Sequence, residues 1–518
     1  MSLLSVRAWP WCLALGALSL ACSGRERPPA LDDDSGFGSE DIPYDRLPAT
    51  SDDFEEKDCP SSITGYASQC GTLTVPEAPG SERKLRIGVR RVFSNADDVA
   101  ADPVVYLNGG PGGATLSTVD FLIDTFEPLL DHRDLIFVDQ RGTGSSRPLL
   151  SCTETTSDID AALDSCFARL SESNDLSATN SAANARDHEA LRLALGYESW
   201  NLLGISYGTR LGLTILRDFP DGIRSLIIDS VVPLQADLFA ELGSNGQDAF
   251  ERVFAACAAD TDCAMSFPDS MQQLRDTTAR LNETPHSDPK ISGDDLVNEL
   301  FSLAYAPEGV ALMPWLIDAA AGDDFAAFEK LVGSSGGGSE AFGMHLSVQC
   351  AEEMPFTDAA TIAAADETVY EELRSPLSGS HYVDYCAHWP VTAAPALENE
   401  AVHSSSRVLV LSGEFDPITP PSYAQMVSLD LENSQYFELP GESHGASTGD
   451  CGLSIVQAFL EDPSASLDGA CALEPLPPDF KTQGLASGGT KANVAFVRER
   501  PSDADLERIA RSVSRRRY

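Results

Sequence analysis

Basic residues are scarce in this sequence. Lys and Arg number 35 against 80 Asp and Glu, which gives a formal net charge of -45. A nucleic acid or an anionic membrane surface requires a basic counterpart, so neither is expected as the main partner. The excess of acid indicates a solvated acidic surface, and at most it favours ligands that carry positive groups.

Long apolar runs are also missing, and no transmembrane helix is predicted after the first residues. Residues 13–21 are apolar but too short to span a bilayer, and with the basic residue before them they are typical of an export signal over residues 1–21. Ala21 directly before Cys22 resembles the lipobox of bacterial lipoproteins, although Ser19 stands where Leu is usual. We therefore expect a protein that is exported to the cell envelope through a lipid on Cys22, with ordinary signal cleavage and secretion as the alternative.

Metal-binding cysteine patterns are a third absence, because no C-x-x-C pair occurs and no His stands at zinc-ligand spacing from a cysteine. No metal site is predicted. Of the twelve cysteines, ten remain when Cys12 and Cys22 are set aside, and an even number in an exported chain indicates disulfides. Ten cysteines allow many connectivities, and nearest-neighbour pairing is one of them. It gives Cys59–Cys70, Cys152–Cys166, Cys257–Cys263, Cys350–Cys386 and Cys451–Cys471.

The two ends of the chain differ in composition from its middle. Residues 22–58 are acidic and rich in Ser, Gly and Pro, which predicts a disordered tether. Residues 476–518 have little apolar content, and we expect a disordered tail or a short helix there. Between them, short apolar runs alternate with helical patterns, as in a parallel sheet with crossover helices. The predicted strands are 84–92, 103–107, 135–139, 200–205, 225–229, 407–412 and 435–439.

The spacing of these strands is uneven in one place. A crossover usually takes a few tens of residues, but the strands at 225–229 and 407–412 are separated by far more. Helical patterns such as 246–259 and 294–304 fill the gap. We predict a mainly helical lid domain at 233–404, inserted between two parts of one core, 59–232 and 405–475.

A candidate nucleophile follows the predicted strand 200–205. Residues 204–208 are G-I-S-Y-G, a G-x-S-x-G motif with a helical pattern after it. In this context a strand turns sharply into a helix and exposes the central serine, Ser206, at the edge of the sheet. Without that context the pentapeptide is equally consistent with a glycine-rich turn.

A second glycine-rich segment follows the predicted strand 103–107. Residues 108–113 are N-G-G-P-G-G, and such a loop lets backbone N–H groups approach a ligand oxygen. Gly110 and Tyr207, the residue after the serine, are the predicted donors of an oxyanion hole. A tight structural loop is the alternative. A dinucleotide-binding loop is not, because Pro111 interrupts the segment and the G-x-G-x-x-G spacing is missing.

A serine nucleophile requires a base, and the base requires an orienting carboxylate. Asp416 follows the predicted strand 407–412, and His444 follows the strand 435–439, so both are expected at the edge that carries Ser206. They follow the serine in the order acid and then histidine, which is the usual order when a G-x-S-x-G serine follows a strand of a parallel sheet. Glu414 is the alternative acid.

Six segments occur in a characteristic order, namely 70–76 (C-G-T-L-T-V-P), 108–113, 139–146 (D-Q-R-G-T-G-S-S), 204–209 and the segments of Asp416 and His444. Taken together, these segments resemble the exported bacterial tripeptidyl aminopeptidases, which are similar to prolyl iminopeptidases. The resemblance implies the α/β-hydrolase fold, with a central, mostly parallel sheet and the lid between the nucleophile and acid segments. Asn108 departs from it, since the prolyl iminopeptidase version of the motif has His there. The resemblance covers residues 59–471.

The resemblance also implies a function, the hydrolysis of peptide bonds near a free N-terminus by a serine aminopeptidase. In that family lid carboxylates receive the substrate ammonium, and Glu352 and Glu353 are the matching candidates, with a pair of solvated surface carboxylates as the alternative. Arg141 is expected to pair with an acid beside the oxyanion loop. We expect a monomer without a cofactor, acting on peptides. A carboxylesterase with the same triad and a non-catalytic surface lipoprotein are the rival interpretations.

Overall fold

The computed structural model describes residues 53–334, 340–482 and 501–516. The predicted export signal, the lipidation site Cys22 and most of the predicted tether lie outside these residues. Within them, no helix combines the length and the apolar character that crossing a membrane requires.

A nine-stranded mixed sheet forms the centre of the fold, in the order β1-β2-β3-β5-β4-β6-β7-β10-β11. The pairs β1/β2, β2/β3 and β3/β5 are antiparallel, and every later pair is parallel. The strands are β1 Phe54–Lys57, β2 Ser68–Pro76, β3 Lys84–Val92, β4 Val104–Leu107, β5 Leu135–Val138, β6 Trp200–Ile205, β7 Ile223–Asp229, β8 His286–Ser287, β9 Lys290–Ile291, β10 Ser404–Gly413 and β11 Leu431–Leu439.

The central strands form because their residues are apolar on both faces. All residues of β4, β5 and β6 are buried, as expected where helices cover a parallel sheet on both sides. All seven predicted strands are present. The sequence analysis missed β1 and β2, which extend the sheet at its antiparallel edge.

Helices cover the two faces of the sheet and build the insertion. They are α1 Val119–Phe126, α2 Ile159–Ser171, α3 Ser181–Leu195, α4 Tyr207–Asp218, α5 Leu238–Ala259, α6 Thr261–Ser266, α7 Ser270–Glu283, α8 Gly293–Leu303, α9 Pro307–Val310, α10 Met313–Ala321, α11 Ala326–Ser334, α12 Phe342–Glu352, α13 Ala359–Asp366, α14 Glu371–Leu377, α15 His381–Ala387, α16 Pro421–Asp430, α17 Asp450–Glu461 and α18 Asp503–Arg516.

The predicted helical insertion is present between β7 and β10. Helices α5 to α15 fall within it, together with the short hairpin of β8 and β9. Much of it is organised around a hydrophobic cluster of its own, which includes Phe250, Leu300 and Ile317. Burial of such side chains contributes about 1.5–3 kcal/mol each, so the insertion has its own source of stability.

All five predicted disulfides are formed. They are Cys59–Cys70, Cys152–Cys166, Cys257–Cys263, Cys350–Cys386 and Cys451–Cys471. Five disulfides are typical of a protein that folds in an oxidising compartment outside the cytosol.

The ends of the folded part differ from the expected boundaries. Strand β1 begins at Phe54, inside the predicted tether, because it pairs with β2. At the other end, α18 Asp503–Arg516 lies within residues 476–518, where a disordered tail or a short helix was expected. Leu506, Ile509 and Val513 of α18 are buried in the cluster of the insertion, which explains why this polar segment folds.

Candidate active site

Ser206 stands in the turn between β6 and α4 with a backbone conformation that is rare for a non-glycine residue. Its φ is 58° and its ψ is -128°. The two glycines of the motif are required by close packing. A Cβ at Gly204 would collide with the carbonyl of Gly208, and one at Gly208 would collide with the carbonyl of Leu107. The turn therefore holds Ser206 in a strained conformation at the end of the strand.

His444 and Asp416 are hydrogen-bonded to each other and closed off from solvent. The Nδ1 atom of His444 lies 2.9 Å from Oδ2 of Asp416, and the residues are 1% and 0% exposed. Thr419 also supports the carboxylate, since its N–H donates to Oδ1 at 2.9 Å and its hydroxyl donates to Oδ2 at 2.7 Å. Burial alone would raise the pKa of Asp416, but the attraction of His444 and these hydrogen bonds lower it below its ordinary value.

Glu414, the alternative acid, has a different contact. Its carboxylate accepts the N–H of Gly441 at 2.9 Å, in the turn after β11. The carboxylate that His444 contacts is that of Asp416.

Asp229 is a buried carboxylate that the sequence analysis missed. It ends β7, level with Ile205 on β6, and accepts the N–H groups of Ala446 at 3.1 Å and Ser447 at 2.7 Å. Burial raises its pKa above the ordinary value. Asp229 therefore fixes the turn that follows His444. The sequence did contain a signal for Asp229, because this carboxylate ends the strand that follows the nucleophile strand.

Ser206 and His444 line the same cavity, which has a volume of about 470 Å³. Gly109 lines it as well, and a Cβ on this glycine would lie 3.0 Å from Cβ of Ser206. The loop that contains Gly110 thus passes directly beside the serine. Tyr207 is the first residue of α4, so its N–H has no acceptor within the helix.

The insertion covers the loop that contains Ser443 and His444. The ring of Tyr305, just after α8, lies 4.9 Å from the ring of His444, and the hydroxyl of Ser443 donates to the carbonyl of Ala304. Near the glycine loop, Nδ1 of His345 in α12 lies 3.1 Å from the carbonyl oxygen of Pro111. Residues of the insertion therefore contact both the loop of His444 and the glycine-rich segment 108–113.

Glu352 and Glu353 are not the solvated surface pair that was the alternative expectation. Both are buried and share Arg210, with Nε of Arg210 3.0 Å from Glu352 and Nη1 2.8 Å from Glu353. Glu352 also accepts the hydroxyl of Ser181 at 2.6 Å. Neither glutamate lines the cavity that holds Ser206. They form a buried ion network against α4 and are not an exposed surface pair.

Burial raises the pKa of Glu353 to about 8, against the attraction of Arg210. A carboxyl group that is neutral near pH 7 is a poor partner for an ammonium. That Glu352 and Glu353 receive the substrate ammonium stays a prediction.

Two residues discussed from the sequence, Arg141 and Asn108, lie in the loops around the glycine-rich segment 108–113. Arg141 makes a two-point ion pair with Asp187, at 2.8 Å for both Nε and Nη2, which is the predicted pairing with an acid. Asn108 is buried, and its carbonyl oxygen accepts from Nε2 of Gln140 at 3.0 Å. Through these contacts, Arg141 and Asn108 stabilise the loops beside Ser206.

The carboxylates that line the cavity are Asp120, Asp124 and Glu340. Asp120 and Asp124 belong to α1, and Glu340 precedes α12, with Oε1 3.2 Å from Nδ1 of His345. None of the three carboxylates was predicted from the sequence. The three carboxylates come together because α1 and the insertion pack side by side, and no local sequence motif predicts that packing.

Comparison with known proteins finds a family model, curated relatives and solved structures that are similar to this chain. A sequence model of the alpha/beta hydrolase fold matches residues 102–447. Serine protease Hip1 of Mycobacterium tuberculosis is 25% identical over 407 residues, covering 68% of this chain and 76% of Hip1. Tripeptidyl aminopeptidase of Streptomyces coelicolor is 24% identical over 430 residues, covering 73% and 78%. A crystal structure of proline iminopeptidase from Mycobacterium smegmatis has 17% identity and a TM-score of 0.38, over 76% of this chain and 98% of that one.

The match spans both parts of the sheet, the glycine loop, the serine turn and the Asp416 and His444 loops. Parallel strands, crossover helices and the inserted helical domain agree with it. The chain belongs to the alpha/beta hydrolase fold family and is a hydrolase.

Proposed function

We propose that this protein is a serine peptidase that hydrolyses peptide bonds near the free N-terminus of peptides. The observation that carries the proposal is the shared cavity, in which Ser206 and His444 meet three carboxylates, Asp120, Asp124 and Glu340. The first two residues supply a nucleophile and a base. The carboxylates supply partners for a buried ammonium, which is costly to leave unpaired.

The proposed reaction begins when Oγ of Ser206 attacks the carbonyl carbon while Nε2 of His444 takes the hydroxyl proton. Asp416 accepts the hydrogen bond from Nδ1 and stabilises the imidazolium. The N–H groups of Gly110 and Tyr207 are the proposed donors to the oxyanion. His444 then protonates the leaving amine, and a water molecule, deprotonated by the same histidine, releases the acyl group and regenerates Ser206.

For the ammonium role we favour the carboxylates of the cavity over Glu352 and Glu353. Glu340 is the first candidate because its carboxylate lies beside the oxyanion loop, where a Cβ on Gly110 would be 3.7 Å from Oε1. Asp120 and Asp124 extend the acidic wall along α1. The relatives named serine protease and tripeptidyl aminopeptidase support the same substrate class.

Paired substrates test this proposal. Peptide amides with a free N-terminus are compared with the same peptides after N-acetylation, and Glu340→Gln is compared with wild type. We expect acetylation to lower kcat/KM at least 10-fold, and Glu340→Gln to reduce that difference. Equal rates on the two peptides, or turnover of simple esters alone, would contradict the peptidase and leave a carboxylesterase.

Export remains part of the proposal and is supported by the disulfides of the folded part. Lipidation at Cys22 is also part of it and rests on the lipobox-like sequence at Ala21 and Cys22. Fractionation of cells that express wild type and Cys22→Ser tests the anchor. We expect wild type in the membrane fraction and the variant in the soluble exported fraction, and the same distribution for both would contradict lipidation.

A further inference from the structure

The C-terminal helix α18 reaches the catalytic cavity. Its apolar side chains pack into the insertion, and Oγ of Ser512 donates to Oε2 of Glu308 at 2.9 Å. Lys330 of α11 pairs with Asp503 at the start of α18. These contacts fix the helix along its length, and its last turn, with Ser514, Arg515 and Arg516, lines the cavity that holds Ser206 and His444.

Arg516 attaches this last turn to the catalytic loop. Its Nη1 atom donates to the carbonyl oxygen of His444 at 3.0 Å and lies 3.3 Å from Oε2 of Glu442. The guanidinium of Arg516 is therefore occupied by protein groups. Its contacts place the preceding residue, Arg515, at the cavity wall.

Arg515 has no such partner. Its guanidinium carbon lies 4.8 Å from the centre of the Phe121 ring, in cation–π contact. Within the described part of the chain, no hydrogen bond or ion pair involves its side chain. The guanidinium of this exposed side chain therefore contacts the aromatic ring, and its N–H donors remain available to a ligand in the cavity.

A planar guanidinium with free donors matches a carboxylate, which it binds through two parallel hydrogen bonds. The protein as a whole carries a net charge of -45, and an acidic ligand is repelled unless a local cation offsets that field. The neighbouring wall, with Asp120 and Asp124 on α1, carries the opposite charge. The cavity thus presents acidic groups and one available guanidinium to the same substrate.

We infer that Arg515 is a specificity-determining residue that binds a carboxylate of the peptide substrate. The inference rests on the proposed function and narrows its substrate class to peptides that carry both an N-terminal ammonium and a carboxylate near the cleaved bond. The carboxylate is either an acidic side chain or the C-terminus of a short peptide.

The experiment uses the full-length protein and four peptides with a free N-terminus. One is a peptide amide with neutral side chains, one replaces a residue by Glu, one replaces the same residue by Gln, and one is the neutral peptide with a free C-terminal carboxylate. Each is assayed with wild type, Arg515→Gln, Arg515→Lys and Arg511→Gln. Arg511 is the matched control, because it lies on α18, is exposed and pairs with Glu507.

We expect wild type to prefer one of the two carboxylate peptides over its neutral counterpart by at least 10-fold in kcat/KM, and which of them it prefers identifies the source of the carboxylate. Arg515→Gln should abolish this preference by raising KM for the carboxylate peptide far more than for the neutral peptide. Arg515→Lys should retain part of it, and Arg511→Gln all of it.

The inference is overturned if wild type shows no carboxylate preference, or if Arg515→Gln lowers kcat/KM equally for every peptide. Turnover of the neutral peptide by wild type separates this failure from that of the proposed function. If the neutral peptide is cleaved but the preference is missing, only the role of Arg515 fails. If no peptide with a free N-terminus is cleaved, the proposed function fails and Arg515 loses its role with it.

Discussion

Asp416 and His444 are joined by a hydrogen bond of 2.9 Å between Oδ2 and Nδ1, in a place that solvent does not reach. The carboxylate holds the imidazole by one nitrogen and leaves the other to exchange a proton. Asp416 has a lowered pKa, so it is ionised at neutral pH and stabilises a positive charge on His444. This relationship explains why a side chain 28 residues away in sequence is required for the proposed base to act.

Asp416→Asn tests this relationship. The amide retains the shape of the carboxylate but places an N–H donor or an uncharged oxygen against Nδ1, so the imidazolium loses its partner. We expect kcat to fall by about 10³–10⁴ with little change in KM. Steady-state kinetics and circular dichroism of the folded variant check the result.

Glu414→Gln is the matched control for Asp416→Asn. Because Glu414 contacts the N–H of Gly441 and not the histidine, we expect kcat to fall by less than about 10-fold. A large loss in Glu414→Gln together with a small loss in Asp416→Asn would exchange the roles of the two acids.

Asp229→Asn tests the support of the turn after His444. An amide offers one acceptor where Ala446 and Ser447 need two, so one N–H loses its partner. We expect a loss of about 1–3 kcal/mol in the free energy of unfolding and a fall in kcat of about 10-fold. Urea denaturation and kinetics measure both, and Asp221→Asn, an exposed residue before β7, should change neither.

The pH dependence of stability tests the buried network of Arg210. The unfolded chain releases the proton of Glu353 near its ordinary pKa of 4.5, whereas the folded protein holds it until about 8. Between these values the folded state binds more protons, so the contribution of Glu353 to stability falls as the pH rises. Denaturation of wild type and Glu353→Gln at pH 5 and pH 8 should show a smaller decrease in the variant. An equal decrease in both proteins would mean that Glu353 is already ionised at pH 5.

The disulfides of the insertion should differ in strength. Cys350–Cys386 closes a loop with a sequence separation of 36, whereas Cys257–Cys263 closes one of 6. Chain entropy predicts losses of about 4 and about 2 kcal/mol when each pair is replaced by serine. Thermal denaturation of the two double variants should give the lower Tm for Cys350→Ser/Cys386→Ser, and the reverse order would show that native contacts outweigh loop length.

Local patterns were sufficient to predict the parallel half of the sheet. Strands such as β6 are short apolar runs bounded by glycine or polar residues. Ser206 follows β6 directly, and Asp416 and His444 lie in the loops after β10 and β11. The antiparallel edge was harder. β1 has one apolar residue among four and is a strand only because β2 provides its partner.

The acidic and basic walls of the cavity were not predictable in the same way. Asp120 and Arg515 are ordinary surface residues of two amphipathic helices, and only the packing of α1 and α18 beside the serine brings them into the cavity. The family resemblance selected Glu352 and Glu353 by their sequence position, but both are buried and contact Arg210 across the domain boundary. The spacing of α18 was informative in retrospect, since Leu506, Ile509 and Val513 form one helical stripe.

The central claim is that Ser206 is the nucleophile, and labelling with a fluorophosphonate tests it most directly. Intact mass is measured for wild type, Ser206→Ala and Ser117→Ala, because Ser117 is another serine of the same cavity. The proposed mechanism predicts one phosphonyl group on wild type and on Ser117→Ala, and none on Ser206→Ala. An unlabelled wild type, or a Ser206→Ala variant labelled as fast as wild type, would contradict it.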